Sequence, residues 1–149
     1  MNGYDRYFDF RMATIEDTDA IMKFIEENWD KNHILANDKD FFIYFYGDPN
    51  SKLLNMYLMI QKDGRIAGIN GFVKYSSEKN PSYISSAMTK VLTDLPVPMS
   101  GVEMMKHFYL EMEGSAEFSF GTNPKTILPI HKRVFKCSDG IMDQFCFIT

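Results

Sequence analysis

The first part of the chain changes from a two-residue to a helical period of hydrophobic positions. Residues 8–12 alternate apolar and polar side chains, which predicts a short strand. Apolar side chains then recur three or four residues apart, as on one face of a helix: Ile21, Phe24, Ile25 and Trp29. We therefore expect an amphipathic helix that packs against the core.

Polar residues mark where the first two helices begin. Thr14 can accept a hydrogen bond from a free N–H of the first turn, and the acidic Glu16 and Asp17 suit the positive end of the helix dipole. Asp38 predicts the cap of a second helix over residues 40–46, where dense apolar residues indicate burial on most sides. The polar residues between the two helices predict a connecting loop.

The middle of the chain has the pattern of an antiparallel meander. Residues 55–61 and 65–74 are apolar runs joined by Lys-Asp-Gly, and Asp-Gly between such runs is a strong hairpin signal. Residues 83–92 return as a further strand. The pattern therefore predicts three consecutive strands with polar turns between them.

The last third of the chain alternates helices and strands. Residues 102–112 and 126–134 have helical periodicity, while residues 117–120 and 142–148 predict strands. The full order is β-α-α-β-β-β-α-β-α-β-β. It favours an α/β (α+β) fold with a mixed, mostly antiparallel sheet of six to seven strands and helices on both faces.

Composition restricts the classes of protein to which the chain can belong. The 149 residues match one ordinary domain, and 45% hydrophobic residues can bury a core without disulfides or metal. A net charge of −4 argues against nucleic-acid binding, which needs a basic face. The chain carries neither a signal peptide nor an apolar run approaching the roughly 20 residues that span a bilayer, so we expect a soluble cytoplasmic protein.

The sulfur-containing residues predict packing rather than chemistry. Cys137 and Cys146 have no metal-binding spacing, so we expect small core hydrophobes on strands. The 11 methionines include Met99, Met104 and Met105 at helical spacing, which indicates adaptable core packing. No metal site is predicted.

Three local motifs, in the predicted order of elements, resemble the GNAT superfamily of acyl-CoA N-acyltransferases. Residues 11–17 (Arg-Met-Ala-Thr-Ile-Glu-Asp) are similar to its frequent opening, in which a first strand runs into Ala-Thr-x-x-Asp. Residues 63–68 (Asp-Gly-Arg-Ile-Ala-Gly) are similar to the hairpin that leads into its third strand. Residues 121–124 (Gly-Thr-Asn-Pro), followed by a helix, resemble its fifth strand and fourth helix. The resemblance covers residues 8–148.

The resemblance implies a single acyltransferase domain over residues 1–149, using acetyl-CoA or another acyl-CoA. The implied reaction moves an acyl group, in the first instance acetyl, to a primary amine of a small molecule. Residues 29–42 are similar to a branch found in bacterial surface-sugar gene clusters, which makes an amino sugar one candidate acceptor. A homodimer, and a place at the N-terminus of a longer chain, are left open.

The implied cofactor site lies in the loop before the third predicted helix. The family signature there is Gln/Arg-x-x-Gly-x-Gly/Ala, and residues 96–101 keep only its last glycine. Pro96 stands at the basic or amide position, and Met99 stands at the first glycine. Main-chain groups near the pyrophosphate would come from Met99, Ser100, Gly101 and Val102, and those near pantetheine from Val91 and Leu92. The alternative is that Gly101 simply begins a helix.

The implied catalytic residues depart from the family pattern. His131 stands where many members carry a tyrosine acid, and Glu117 could draw a proton through water. Asn123 matches an asparagine that orders cofactor or water, and His33 is a candidate substrate contact. Each has a structural alternative: a solvated histidine, a surface glutamate, a turn residue and a loop histidine without a role. The alternative function is therefore a catalytically degenerate GNAT-fold binding or regulatory module.

Overall fold

The computed structural model describes residues 3–75, 83–119 and 123–141. The chain divides into two compact units, Met1–Phe118 and Ser119–Thr149. Within the described ranges, none of the helices combines the length and hydropathy that crossing a bilayer requires.

The first unit is built on one sheet whose strands follow in chain order. The first four strands are antiparallel and the fifth runs parallel to the fourth, so the sheet is mixed and mostly antiparallel, as predicted. Its strands are β1 (Phe8–Thr14), β2 (Leu53–Gln61), β3 (Ile66–Lys74), β4 (Tyr83–Val91) and β5 (Ala116–Glu117).

The described sheet has five strands, so the prediction of six to seven strands and their full order is not reproduced. The predicted strand over residues 142–148 lies outside the described residues. The Asp-Gly hairpin between β2 and β3 forms as predicted, with Gly64 at φ 89°. Only glycine adopts that backbone angle at little cost.

The described ranges contain five α-helices. They are α1 (Thr18–Asn28), α2 (Ile34–Asn37), α3 (Lys39–Tyr46), α4 (Ser100–Glu111) and α5 (Ile127–Ile130). A π-type turn, His131–Phe135, continues α5 in the second unit. The short α2 falls where the sequence predicted only a polar loop.

Helices cover both faces of the sheet. On one face, α1 and α3 form a core with alternate residues of β2, including Met56 and Leu58. On the other face, Phe108 of α4 packs its ring 5.7 Å from that of Tyr57. Because successive side chains of a strand point to opposite faces, α4 lies opposite α1 and α3.

A glycine in β3 permits the close approach of α3. A Cβ atom at Gly71 would lie 2.8 Å from the ring of Tyr46, which is fully buried. That burial raises the pKa of the Tyr46 hydroxyl to about 12. The glycine in the apolar run of β3 thus allows a large aromatic side chain to pack directly against the strand.

Burial of the first helices is less complete than the sequence predicted. Ile21, Phe24 and Ile25 are buried, but Trp29 follows the last turn of α1 and is 46% exposed. In α3 only Phe42 and Tyr46 are buried, and most of Tyr44 is exposed. With two turns, α3 presents only one face to the core, so its dense apolar sequence gave the wrong prediction of burial on most sides.

Cys137 and Met99 are both exposed, contrary to the prediction of core packing. Cys137 comes after Lys136, which ends the π-type turn in a left-handed conformation. Met99 precedes α4 rather than lying on its buried face. Met104 and Met105 of α4 are buried as predicted, whereas Cys146 lies outside the described residues.

The Ala-Thr-x-x-Asp motif, together with Arg11, forms an ion pair and a set of hydrogen bonds around Asp17 at the end of β1. The Asp17 carboxylate accepts hydrogen bonds from the Arg11 guanidinium at 2.7 and 2.8 Å and from the Thr14 N–H at 2.7 Å. The Thr14 hydroxyl also donates to it at 3.0 Å, and Thr14 and Asp17 form a capping box at the helical turn that precedes α1. Chiefly because Arg11 hydrogen bonds to it, the pKa of Asp17 is lowered from 3.8 to about 2.

We expect Asp17→Asn to lower the free energy of unfolding at neutral pH by about 1 kcal/mol, since the pair is partly exposed to solvent. Because the folded pKa is depressed, this contribution is present above the unfolded pKa of 3.8 and is lost as the pH falls through about 2. Urea unfolding at neutral pH and at acid pH measures the difference. Glu16→Gln, a change at an exposed neighbour, is the control. A deficit that stays constant down to low pH would contradict the assignment.

Candidate functional site

Strand β4 pairs along its length on one side and only at its start on the other. Its ladder with β5 consists of Tyr83↔Ala116 and Ile84↔Glu117. The Phe118 N–H then donates to the Ile84 carbonyl at 3.1 Å. Strand β4 continues to Val91, while β5 is the only described strand that pairs with this side. Most of β4 therefore keeps main-chain groups that no described strand uses.

At the end of β4, the two residues predicted to contact pantetheine, Val91 and Leu92, direct their main-chain groups to opposite sides of the strand. The Leu92 N–H donates to the Ala67 carbonyl at 2.9 Å, so this amide is engaged with β3. Main-chain groups alternate sides along a strand, so the N–H and C=O of Val91 point to the side away from β3. Val91, rather than Leu92, therefore offers its N–H to a ligand beside β4.

Helix α4 begins at a residue in the left-handed conformation. Met99 has φ 61° and ψ 19°, and no side chain caps the helix. The N–H groups of Met99, Ser100 and Gly101 have no acceptor within the described residues. By contrast, Val102 donates to the Met99 carbonyl at 2.9 Å. Three successive amides thus remain available where the helix dipole is positive.

Two side chains hold the turn before α4 without covering these amides. The Ser100 hydroxyl donates to the Val97 carbonyl at 2.6 Å. The Tyr4 hydroxyl donates to the Pro98 carbonyl at 2.9 Å, which ties the N-terminal segment to the turn. Both bonds use carbonyl groups on the N-terminal side of Met99. They therefore brace the turn and leave its donors uncapped.

Gly101 has a packing role beside the end of β4. A Cβ atom at this position would lie 3.3 Å from Cγ2 of Val91. That distance is tighter than ordinary contact, so a larger residue would push the start of α4 away from the strand. The glycine therefore keeps the uncapped amides next to the strand edge that carries the free groups of Val91.

Hydrogen bonds connect four polar side chains of β3, β4 and β5, which we name the polar row: Asn70, Ser86, Thr89 and Glu117. Ser86 donates to a carboxylate oxygen of Glu117, and Thr89 donates to Oδ1 of Asn70. The Asn70 Nδ2 group donates to Ser86 at 3.5 Å. Asn70 is fully buried, Ser86 and Glu117 are half-buried, and Thr89 is exposed. The polar row therefore links the sheet interior to β5.

Sequence reasoning singled out Glu117 alone from this row. Asn70 was missed, although its position carried a signal: it is the one strongly polar residue inside the buried stretch of β3. A buried amide without a partner costs free energy, so such a residue indicates a specific contact. Ser86 and Thr89 were visible in the sequence only as ordinary polar residues of a strand.

The second unit contains two further predicted site residues: Asn123, predicted to order cofactor or water, and His131, predicted to act as the acid. The side-chain oxygen of Asn123 accepts hydrogen bonds from the N–H groups of Lys125 and Thr126, at 2.9 and 3.2 Å, which is the structural role of a turn residue. His131 is half-buried at the end of α5, with its ring edge-on to Phe135 at 5.5 Å. Their roles in catalysis stay predictions.

His33 also has a structural role. Its Nδ1 atom accepts a hydrogen bond from the Leu35 N–H at 3.2 Å and so caps α2. The ring lies 6.5 Å from that of Trp29. Because Nδ1 is engaged, a substrate contact would have to use the other ring nitrogen.

The left-handed conformation of Met99 leads to a stability prediction. A residue with a Cβ atom in this conformation costs about 1 kcal/mol relative to glycine. We expect Met99→Gly to be more stable than Met99→Ala by about that amount, although both variants remove the side chain. Thermal or urea unfolding of the two variants measures the difference. Equal stability, or a more stable alanine variant, would show that this backbone conformation is not strained.

Comparisons with known proteins identify the fold. No protein-family model matches the chain, and no curated protein sequence matches it. Among solved structures, AAC(6')-Iy in complex with the bisubstrate analogue CoA-S-monomethyl-acetylneamine has a TM-score of 0.62 at 11% identity, covering 95% of this chain and 98% of that one.

Two further structures agree. A candidate acetyltransferase from Deinococcus radiodurans R1 has a TM-score of 0.61 at 14% identity, over 93% of this chain and 87% of that one. The loading GNATL domain of CurA from Lyngbya majuscula has a TM-score of 0.55 at 11% identity, over 76% and 64% respectively. At these identities the likeness concerns the fold alone: the chain has the fold of these three solved structures.

Proposed function

We propose that the protein is an N-acyltransferase that moves an acyl group from CoA to a primary amine of a small molecule. One observation carries this proposal. Beyond Ile84, one side of β4 is paired by no described strand, and this side ends next to Gly101 at the uncapped start of α4. An unpaired strand side can hydrogen bond to an amide-bearing chain, and an uncapped helix start can bind an anion. Acyl-CoA combines an amide-bearing arm with a pyrophosphate.

The residues present fit such a donor. The amides of Met99, Ser100 and Gly101 would hold the pyrophosphate, and the main chain of Val91 would hold the pantetheine arm. Leu92 and Val102 contribute less, because their N–H groups already have acceptors. When bound, CoA supplies the acyl group as a reactive thioester.

Glu117 is the proposed general base. An amine attacks a thioester only in its neutral form, so a group near the thioester must accept a proton. Glu117 is the last residue of β5, and its carboxylate accepts a hydrogen bond from the Ser86 hydroxyl. His131 is the proposed acid for the departing thiolate, and Asn123 a proposed contact to cofactor or water. His33 remains a proposed acceptor contact.

An amino sugar is the proposed acceptor class. The solved AAC(6')-Iy complex holds an analogue that joins CoA to acetylneamine, and this fold neighbour covers nearly the whole chain. The resemblance of residues 29–42 to the surface-sugar branch supports the same class. The use of acyl-CoA also fits a cytoplasmic protein.

A binding or regulatory module without catalysis is the second candidate. Met99 and Pro96 replace the glycine and the basic or amide residue of the family signature, and β4 carries no carboxylate. The Met99 side chain is 57% exposed beside the proposed phosphate site. These departures favour a weakened donor site, which two experiments distinguish from an active one.

Acetyl-CoA should raise the melting temperature of the protein. At a concentration 100 times the dissociation constant, binding stabilises the folded state by about 2.7 kcal/mol, or roughly 5–10 °C for a domain of this size. Differential scanning fluorimetry measures the shift. Gly101→Val, which displaces the start of α4 from Val91, should reduce it. Absence of any shift at millimolar acetyl-CoA would contradict the proposed donor site.

Release of free thiol from acetyl-CoA, assayed over a panel of amines and amino sugars, tests catalysis. We expect Glu117→Gln to lower turnover by about 100-fold or more, since it removes the general base, and to leave acetyl-CoA affinity unchanged. His131→Ala should also reduce turnover without weakening acetyl-CoA binding. Glu113→Gln, at an exposed glutamate outside the polar row, is the control. Acetyl-CoA binding without thiol release for any amine would support the binding module instead.

A further inference from the structure

The hydrogen bond that Ser86 donates to Glu117 determines the direction of the other hydrogen bonds in the polar row. Because the Ser86 hydroxyl donates to the Glu117 carboxylate, its proton is committed to Glu117. A hydroxyl group has one proton. Ser86 must therefore act as the acceptor in its contact with Asn70.

This requirement fixes the orientation of the buried amide. Asn70 can donate only through Nδ2, so Nδ2 faces Ser86 and Oδ1 faces Thr89. The Thr89 hydroxyl then donates to Oδ1, which commits its single proton as well. Asn70 is fully buried, so no solvent molecule competes for this arrangement.

The polar row consequently exposes acceptors and no hydroxyl donor. Both hydroxyl protons point along the row, whereas lone pairs remain on Ser86 and Thr89 and on the second oxygen of Glu117. These three residues are half-buried or exposed, and only Asn70 is sealed inside. A ligand group that matches the row must therefore supply N–H or O–H protons, and a positive charge would complement Glu117.

We propose that the polar row receives the acceptor amine in its protonated form, with Ser86 as the first proton acceptor and Glu117 as the final one. Asn70 is a positioning residue, because it acts through Ser86 and Thr89 rather than on the amine. This inference rests on the proposed acyltransferase function, and it specifies the acceptor as a primary ammonium.

The proton step balances within the row. The ammonium N–H bond breaks and its proton passes to Ser86 Oγ, while the proton of Ser86 passes to a carboxylate oxygen of Glu117. The products are a neutral amine with a free electron pair, an unchanged serine and a neutral carboxylic acid. Asn70 moves no proton, and its bond to Ser86 keeps the serine oriented throughout.

Binding of simple cations, in the absence of CoA, tests the recognition step. In two-dimensional NMR of the 15N-labelled protein, n-propylammonium at millimolar concentration should shift the Ser86 and Thr89 amides and the Asn70 side-chain amide in a saturable manner. Propanol has the same size without charge, and tetramethylammonium has charge without an N–H donor. Neither should produce these shifts, and Glu117→Gln should abolish them.

Equal shifts with tetramethylammonium or propanol, or no shift with propylammonium, would overturn the proposal. Because CoA is absent, these outcomes do not depend on whether the protein transfers acyl groups. Thermal stabilisation by acetyl-CoA separately reports the donor site, so the two hypotheses can fail independently.

Turnover of the best amine from the thiol-release panel tests the positioning role. Asn70→Asp keeps the size of the side chain but removes its donor, so KM for the amine should rise by roughly 10- to 100-fold. Thr89→Val removes the hydroxyl without adding a buried charge, so it should also raise KM for the amine. Thr89→Ser keeps the hydroxyl and should restore the KM of the unmodified protein. Ser85→Ala, on the opposite face of β4, is the matched control. Folded Thr89→Val with an unchanged KM would overturn the positioning role.

Discussion

The architecture depends on an incomplete hydrogen-bond ladder. A strand inside a sheet normally has partners on both sides, because buried main-chain groups without partners are costly. Strand β4 has β3 along one side but meets β5 for only two residue pairs on the other. The remaining N–H and C=O groups on that side are not used by any described strand, and the proposed binding of an amide-bearing ligand follows from this incomplete pairing.

The start of α4 lies beside that side of the strand and has uncapped N–H groups of its own. Two other helices of the first unit have side-chain caps: His33 accepts from the Leu35 N–H at the start of α2, and Asp38 accepts from the Phe41 N–H at 2.8 Å at the start of α3. In contrast, α4 begins after a left-handed Met99 and has no side-chain cap. Because Gly101 allows α4 to begin beside Val91, the uncapped N–H groups of the helix lie next to the main-chain groups of Val91 that no described strand uses. This combination, rather than either end alone, supports the proposed site.

Local patterns predicted most elements of the first unit, because they depend on short-range chemistry. The Asp-Gly turn, the Asp38 cap and the period of α4 are determined by neighbouring residues. Burial of Trp29 and Tyr44 was predicted wrongly, since Trp29 lies beyond the last turn of α1 and the two-turn α3 presents only one face to the core. Asn70 was missed because its partners come from β4, which is distant in the sequence. The roles of His131 and Asn123 came only from the family resemblance.

A strand side that no described strand pairs also has a consequence for association between molecules. Unpaired strand edges template the addition of further strands, and proteins commonly protect them with prolines and short lengths. Two prolines, Pro96 and Pro98, follow β4 closely and cannot donate to a ladder. They therefore limit how far such pairing could extend along the chain beyond the end of β4.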